Sequence, residues 1–262
     1  MILPASYANG FAPRDGMPLY PELWRGCVFA AAPCLGPSGL TLRDWSGRGN
    51  HGTLTGGPTW GPAHGKYAVT FDGSDDYVNL TNDAPIPSGR FTIMHWVRPA
   101  SLGTLQIPFS QGRIGGGGTY ITTRLTSTSK FETAIDGANV DTGTTTLQND
   151  VWYALAASYD GTTSRVYVSG ILEKSASRTA NYTNGEARIG SGFTNTGVTS
   201  LVLNGSISDM MIFNTALSEN LIRLYSTRPG IAYEMAPRRR SRAVVITSGF
   251  SALRPSILRG AR

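Results

Sequence analysis

Glycoside hydrolysis needs two carboxyl groups facing each other across the scissile bond. The segment that comes nearest is FETAID, where Glu132 and Asp136 stand four residues apart and so share a strand face. A third acid and an aromatic surround are missing there, and both residues read as surface carboxylates. Imidazole chemistry fares no better. His51 sits in a glycine-rich turn, His64 in a loop, and His95 inside an apolar strand, where it reads as a core side chain. No Gly-x-Ser-x-Gly elbow occurs. Cys27 and Cys34 lie in or beside a predicted buried strand, where a thiol is unreactive. The glycine run GRIGGGG at 112–118 is not followed by a helix that could hold phosphate, so it reads as a hairpin loop. No catalytic site emerges, and the chain is expected not to be an enzyme.

Binding chemistry is better represented. A sugar face stacks on an exposed aromatic ring that has polar neighbours. Trp45, Trp60 and Tyr120 fall on predicted loops and are the candidates for a carbohydrate site. Trp24, Trp96 and Trp152 lie in or next to apolar strands and are predicted to be core. The cluster RRRSR supplies Arg238, Arg239, Arg240 and Arg242. Such a run can neutralise phosphates, but it lacks interleaved aromatics, and contact with an acidic protein neighbour is the preferred reading. Nucleic acid is not expected as a partner.

These residues must be positioned by a turn-rich chain. Thirty-two Gly and only 15% charged residues disfavour helices, while 40% hydrophobic residues suffice for one core. Residues 228–262 hold eight Arg against Glu234, which exceeds the whole formal charge of +6; the rest is near neutral. The opening MILPASYANGFAPRDG has no basic region and no apolar run, so no signal peptide is expected, and free thiols follow for the two cysteines. No stretch is apolar for long enough to predict a membrane span.

Strands are predicted at CVFAAAP, YAVTFD (67–72), YVNL (77–80), FTIMHWVRP (91–99), TYITTRL (119–125), FETAI (131–135), VWYALAASYD (151–160), SRVYVSG (164–170), EARIG (186–190) and GSISDMMIFN (205–214). In FTIMHWVRP, Phe91, Ile93, His95 and Val97 share one face and Met94 and Trp96 the other, so a central strand is expected. TYITTRL and FETAI are more polar and read as half exposed. One short helix is expected after Ser218 as N-cap, with Leu217 and Ile222 as a hydrophobic staple and Pro229 barring continuation. Residues 1–23 read as an extended N-terminal arm, 24–227 as the body, and 228–262 as an Arg-rich arm whose stretch 243–250 can add an edge strand to a neighbour.

Taken in order, DWSGRGNHGTLTGGPTW, AVTFDGSDDYVNL, FTIMHWVRP, VWYALAASYDG, RVYVSGILEKS, ARIGS and GSISDMMIFNTALSENLIRLY resemble laminin-G-like domains of the concanavalin A-like lectin/glucanase class. The resemblance implies an all-β, two-sheet antiparallel jelly-roll sandwich with one short C-terminal helix. It also places Asp44, Asn50, Asp72, Asp75, Asp76 and Asp209 at acid positions typical of that class. A structural Ca²⁺ held by Asp44, Asp72 and Asp209 is therefore a candidate, against the simpler reading that Asp72 and Asp75 make Asx turns and Asp44 satisfies loop amides. The class's hydrolases carry a Glu-x-Asp-x-x-Glu strand motif, and this chain has none. The flanks, MPLYPELWRGCVFAAAPCLGPSGLTLRDWSGRGNHG and RPGIAYEMAPRRRSR, are similar to structural proteins of tailed bacteriophages. That similarity implies a capsid decoration protein on the virion surface, with the major capsid protein and its own copies as partners. A carbohydrate-binding module or a host-receptor-binding fibre component is the alternative.

Overall fold

Strand FTIMHWVRP, apolar on both faces, ends up in the middle of a sheet that is covered on both sides. The computed structural model describes residues 18–236 apart from 64–65, 81–85, 87–88, 113–119, 138, 181, 183–184 and 194–198. His64, most of the 112–118 glycine run, most of the 1–23 arm, the four arginines Arg238, Arg239, Arg240 and Arg242, and the 243–250 stretch lie outside the described residues.

The strands are β1 (Cys27–Ala31), β2 (Thr41–Leu42), β3 (Gly52–Thr55), β4 (Thr59–Ala63), β5 (Lys66–Asp72) and β6 (Tyr77–Leu80). Next come β7 (Phe91–Pro99), β8 (Gln106–Gln111), β9 (Ile121–Leu125), β10 (Phe131–Ile135), β11 (Asn139–Thr142) and β12 (Tyr153–Tyr159). The last six are β13 (Thr163–Val168), β14 (Ile171–Ser177), β15 (Ala187–Ile189), β16 (Gly192–Phe193), β17 (Thr199–Ser200) and β18 (Asn204–Phe213). The first sheet runs β14-β13-β12-β7-β18-β5-β4, and β1 pairs with the far half of β18. The second runs β11-β10-β9-β8-β15-β6-β3-β2, and β16 with β17 forms a small ribbon. All pairings are antiparallel, and the two sheets make the expected jelly-roll sandwich.

Side chains alternate across each strand, so Phe91, Ile93 and Val97 enter the core between the sheets with Phe71, Phe109 and Phe131. His95 enters with them. It is fully buried, 3.0 Å from Thr123 Oγ1 through Nε2, and edge-on to Phe131. Burial lowers its pKa to about 3, which leaves the ring neutral.

Met94 and Trp96 face outward into a second core shared with Met211, Phe213, Trp24 and Tyr225. The helix α1 (Glu219–Tyr225) closes part of this face. Ser218 stands at its N-cap without a side-chain hydrogen bond, and Ile222 is fully buried. No helix among the described residues is long and apolar enough to cross a membrane.

Four expectations need correction. The packed body reaches past both predicted arm boundaries: Leu23, Ile231, Ala232 and Tyr233 are buried in the second core, because Met94, Trp96 and Met211 leave an apolar face that must be covered. Residue Pro18 pairs with Met235, and the Leu19 amide donates to the Glu234 carbonyl at 2.7 Å. The described part of TYITTRL, 120–125, and FETAI are buried rather than half exposed, apart from half-buried Arg124. Ile121, Leu125 and Phe131 supply the core, while Glu132 lies opposite Arg124 and Thr142 and accepts from both at 3.3 and 3.0 Å. Glu132 is accordingly no surface carboxylate. Finally, Trp152 precedes β12 and is only half-buried.

Candidate functional site

Residues from the edges of the two sheets and from the 32–45 segment line one opening. Trp60 comes from β4, the edge strand of the first sheet; Leu42 and Arg43 come from the end of β2, the edge of the second. With Leu35, Pro37 and Trp45 they line an open cleft of about 180 Å³.

Each tryptophan is held by a specific contact. Gly39, at φ +72, takes a left-handed turn that other residues rarely adopt, and its carbonyl accepts the Trp60 indole N–H at 2.8 Å. The ring packs partly on the inter-sheet core and remains half-buried. Trp45 is fixed through its backbone, whose N–H donates to the Ala30 carbonyl at 2.8 Å. Its ring packs partly on the second core, and the Arg43 guanidinium carbon lies 4.5 Å from the ring centre.

Asp44 organises this turn. Its buried carboxylate accepts from the amides of Ala30, Ser46 and Asn50 at 3.0, 2.8 and 2.9 Å, and from the Ser46 hydroxyl at 2.8 Å. The Asp44 amide in turn donates to His51 Nδ1 at 3.0 Å. The Gly-rich sequence 44–52 thus wraps on one buried carboxylate, and the alternation of exposed Arg43, buried Asp44 and half-buried Trp45 follows.

The other nominated residues go elsewhere. Tyr120 is buried beside β9, near the far end of the second sheet from β2. Its hydroxyl accepts from Arg124 at 3.1 Å and its ring lies against Gly137, where a Cβ would sit 2.8 Å away. The structure does not bring Asp44, Asp72 and Asp209 together. Asp209 is fully buried under the second core, with Oδ2 accepting from the Gly230 amide and the Cys34 thiol beside it. Burial raises its pKa to about 6. Asp72 lies instead with Asp75 and Asp76, their carboxylate oxygens within 4.8 Å of one another. Asp72 Oδ1 accepts the Ser74 amide and Asp76 Oδ2 the Asp72 amide, the Asx-type turn read from the sequence. Three hard oxygen donors of this kind suit a divalent cation such as Ca²⁺. Burial raises the Asp76 pKa, and the neighbouring Asp72 and Asp75 add to that.

Both cysteines are free and buried, and desolvation raises each thiol far above its ordinary pKa, so neither is a nucleophile. Sequence reasoning found Trp45 and Trp60 but passed over Arg43. The signal was its place two residues before Trp45 in an alternating turn.

A family described as the concanavalin A-like lectin/glucanases superfamily matches residues 72–223. No curated protein sequence matches the chain. Among solved structures, domain 4 of AbnA, an extracellular arabinanase from Geobacillus stearothermophilus solved in complex with arabinotriose, is 17% identical with a TM-score of 0.61, covering 79% of this chain and 98% of that one. Trypanosoma rangeli sialidase in complex with sialic acid gives 14% and 0.61, covering 77% of this chain and 33% of the sialidase. The binding domain of Paraclostridial Mosquitocidal Protein 1 gives 13% and 0.61, covering 78% of this chain and 52% of that one. At these identities the likeness establishes the fold.

Proposed function

Because this chain belongs to the concanavalin A-like lectin/glucanase superfamily, we propose that it is a carbohydrate-binding module whose ligand seats in the Trp45–Trp60 cleft. One observation carries the reading: two tryptophans fifteen positions apart, nominated by type alone, line one open cleft on the edge of the sandwich. At about 180 Å³ the cleft is smaller than the roughly 300–1,000 Å³ of ordinary small-molecule pockets, which suits one sugar ring or a chain end. Half-buried Trp60 supplies an apolar platform already tethered at its polar tip, so little conformational freedom is lost on binding. A fold shared with a domain solved with arabinotriose is compatible with this use.

The module binds without hydrolysing. No carboxylate among the described residues lines the cleft, and hydrolysis needs two. The test is affinity electrophoresis in gels cast with a panel of neutral and uronic-acid polysaccharides. Retardation by at least one polymer, weakened at least tenfold in Trp60→Ala, is expected. A panel that leaves mobility untouched would overturn the reading.

A second reading, attachment to a larger assembly such as a virion surface through the terminal arms, is favoured by the pairing of Pro18 with Met235. It brings residues 18 and 235 side by side, and the two readings are compatible. Co-sedimentation of the assembled particle with a chain lacking residues 237–262 checks it: loss of association is expected, and unchanged association sinks it.

A further inference from the structure

We infer that the cleft selects a sugar bearing a carboxylate, a class of ligand that rests on the carbohydrate-binding reading above. The argument starts from Arg43. Six arginines, Arg98, Arg124, Arg165, Arg178, Arg223 and Arg228, each meet a carboxylate at 2.6–3.3 Å. Arg43 meets none among the described residues, although it is exposed at the cleft rim and its guanidinium is laid over the Trp45 ring. An unpaired surface arginine is ordinary; one stacked on an aromatic wall of a cleft has an orientation imposed on it.

The local charge points the same way. Between residues 43 and 51 the acid is Asp44, and it is turned inward, its carboxylate filled by four protein donors. Arg43, Arg48, Gly49 and His51 are the residues of that turn exposed to solvent, and the two arginines are its exposed cations. Asp44 offsets part of the field of the two arginines, but it offers no acceptor to a ligand and repels none at contact. The cleft lining otherwise is apolar or hydroxyl-bearing: Leu35, Pro37, Leu42, Trp60 and Ser38, whose hydroxyl already donates to the Thr41 carbonyl.

A neutral sugar stacked on Trp60 would leave the guanidinium's donors to water. A uronic or similar acidic sugar would place its carboxylate against them, in the paired geometry that guanidinium and carboxylate share. Trp45 is then a positioning residue: it holds Arg43 rather than stacking on the ligand itself. Discrimination between the acid and its neutral counterpart should be about tenfold or more, as hydrogen bonds to charged partners give.

The full chain is run through gels cast with polygalacturonate, alginate or hyaluronate, and with arabinan, galactan or xyloglucan, together with the carboxyl-reduced form of any acidic polymer that retards it. Arg43 is exposed, so Arg43→Ala folds, which the unchanged melting temperature confirms. The expected result is retardation by an acidic polymer that is lost on carboxyl reduction and falls about tenfold in Arg43→Ala. Arg43→Lys should restore part of it, since charge remains while fork and stacking are lost, and salt at roughly 0.5 M should weaken it. Retardation confined to neutral polymers overturns the acid preference and leaves the module reading intact. Retardation by acids that Arg43→Ala does not change removes the assignment from this cleft. Silence across the panel overturns both.

Discussion

Trp24 and Trp60 are each tethered by the indole N–H to a backbone carbonyl at 2.8 Å, Ala232 for one and Gly39 for the other. Their surroundings differ. Trp24 lies beneath the 228–236 segment, 2% exposed and edge-on to Tyr233 at 5.3 Å between ring centres. Trp60 stands on the edge strand of a sheet, half-buried, and lines the open cleft. The tether satisfies the polar tip in both cases, so it does not distinguish a covered aromatic from one that lines a cleft. What distinguishes them is whether a further layer of chain covers the ring, and at the outer face of the first sheet the terminal segments do.

The largest effect should come from removing that layer. Truncation after Thr227 deletes Ile231, Ala232 and Tyr233 and takes the acceptor from Trp24, for a loss of about 5 kcal/mol or more. Truncation after Ala236 should leave the melting curve in place. Equal melting of the two would show that the second core does not hold the fold.

Next, Trp24→Ala should cost about 3–5 kcal/mol, near 10 °C in melting temperature, with polysaccharide retardation kept at temperatures where the variant is folded. The reciprocal variant Trp60→Ala should cost only about 1–2 kcal/mol and lose retardation. A Trp60 variant as unstable as the Trp24 one would make both tryptophans structural.

Asp209 sharpens the comparison through pH, because it is buried in the same second core. Burial holds its folded pKa near 6 against 3.8 ordinarily, with the Cys34 thiol, the Gly230 amide and Lys66 opposing, and Tyr225 and Tyr233 around it. The native state therefore keeps the proton more tightly than the unfolded one between those values. Stability from this group is greatest below about pH 4, falls as pH rises to about 6 by on the order of 2–3 kcal/mol, and is flat above. Asp209→Asn should flatten that window in a melting-temperature series; an unaltered slope would place its origin in another group. The smallest effect belongs to the solvent side of the helix, where Glu219→Ala breaks the exposed pair with Arg223 for about 0.3–0.5 kcal/mol and leaves retardation unchanged.

Much of the β architecture was legible because strand alternation is a local property. Phe91, Ile93, His95 and Val97 fall on one face of β7 and Met94 and Trp96 on the other as their spacing requires, and Leu217, Ser218 and Ile222 marked the helix start. The half-exposed reading of FETAI went wrong because Glu132 and Thr142 look polar one at a time, whereas in register with Arg124 they cover each other.

Composition and local pattern determined that this chain is all-β with one short helix and with aromatics to spare, and the family resemblance implied the jelly-roll arrangement of its strands. Register, edges and the return of the chain ends decided which aromatics are walls of a cleft and which are buried. Those are contacts between residues far apart in sequence: Trp24 meets Ala232 across 208 positions and Trp60 meets Gly39 across 21. Tyr120 shares the residue type of a sugar platform, yet Gly137 and Arg124 close around it. Asp44, Asp72 and Asp209 share a charge but end up with separate partners. Burial is set by the sum of such long-range contacts, which no window of sequence contains, and so only the tertiary structure decided which of the nominated aromatics line a cleft.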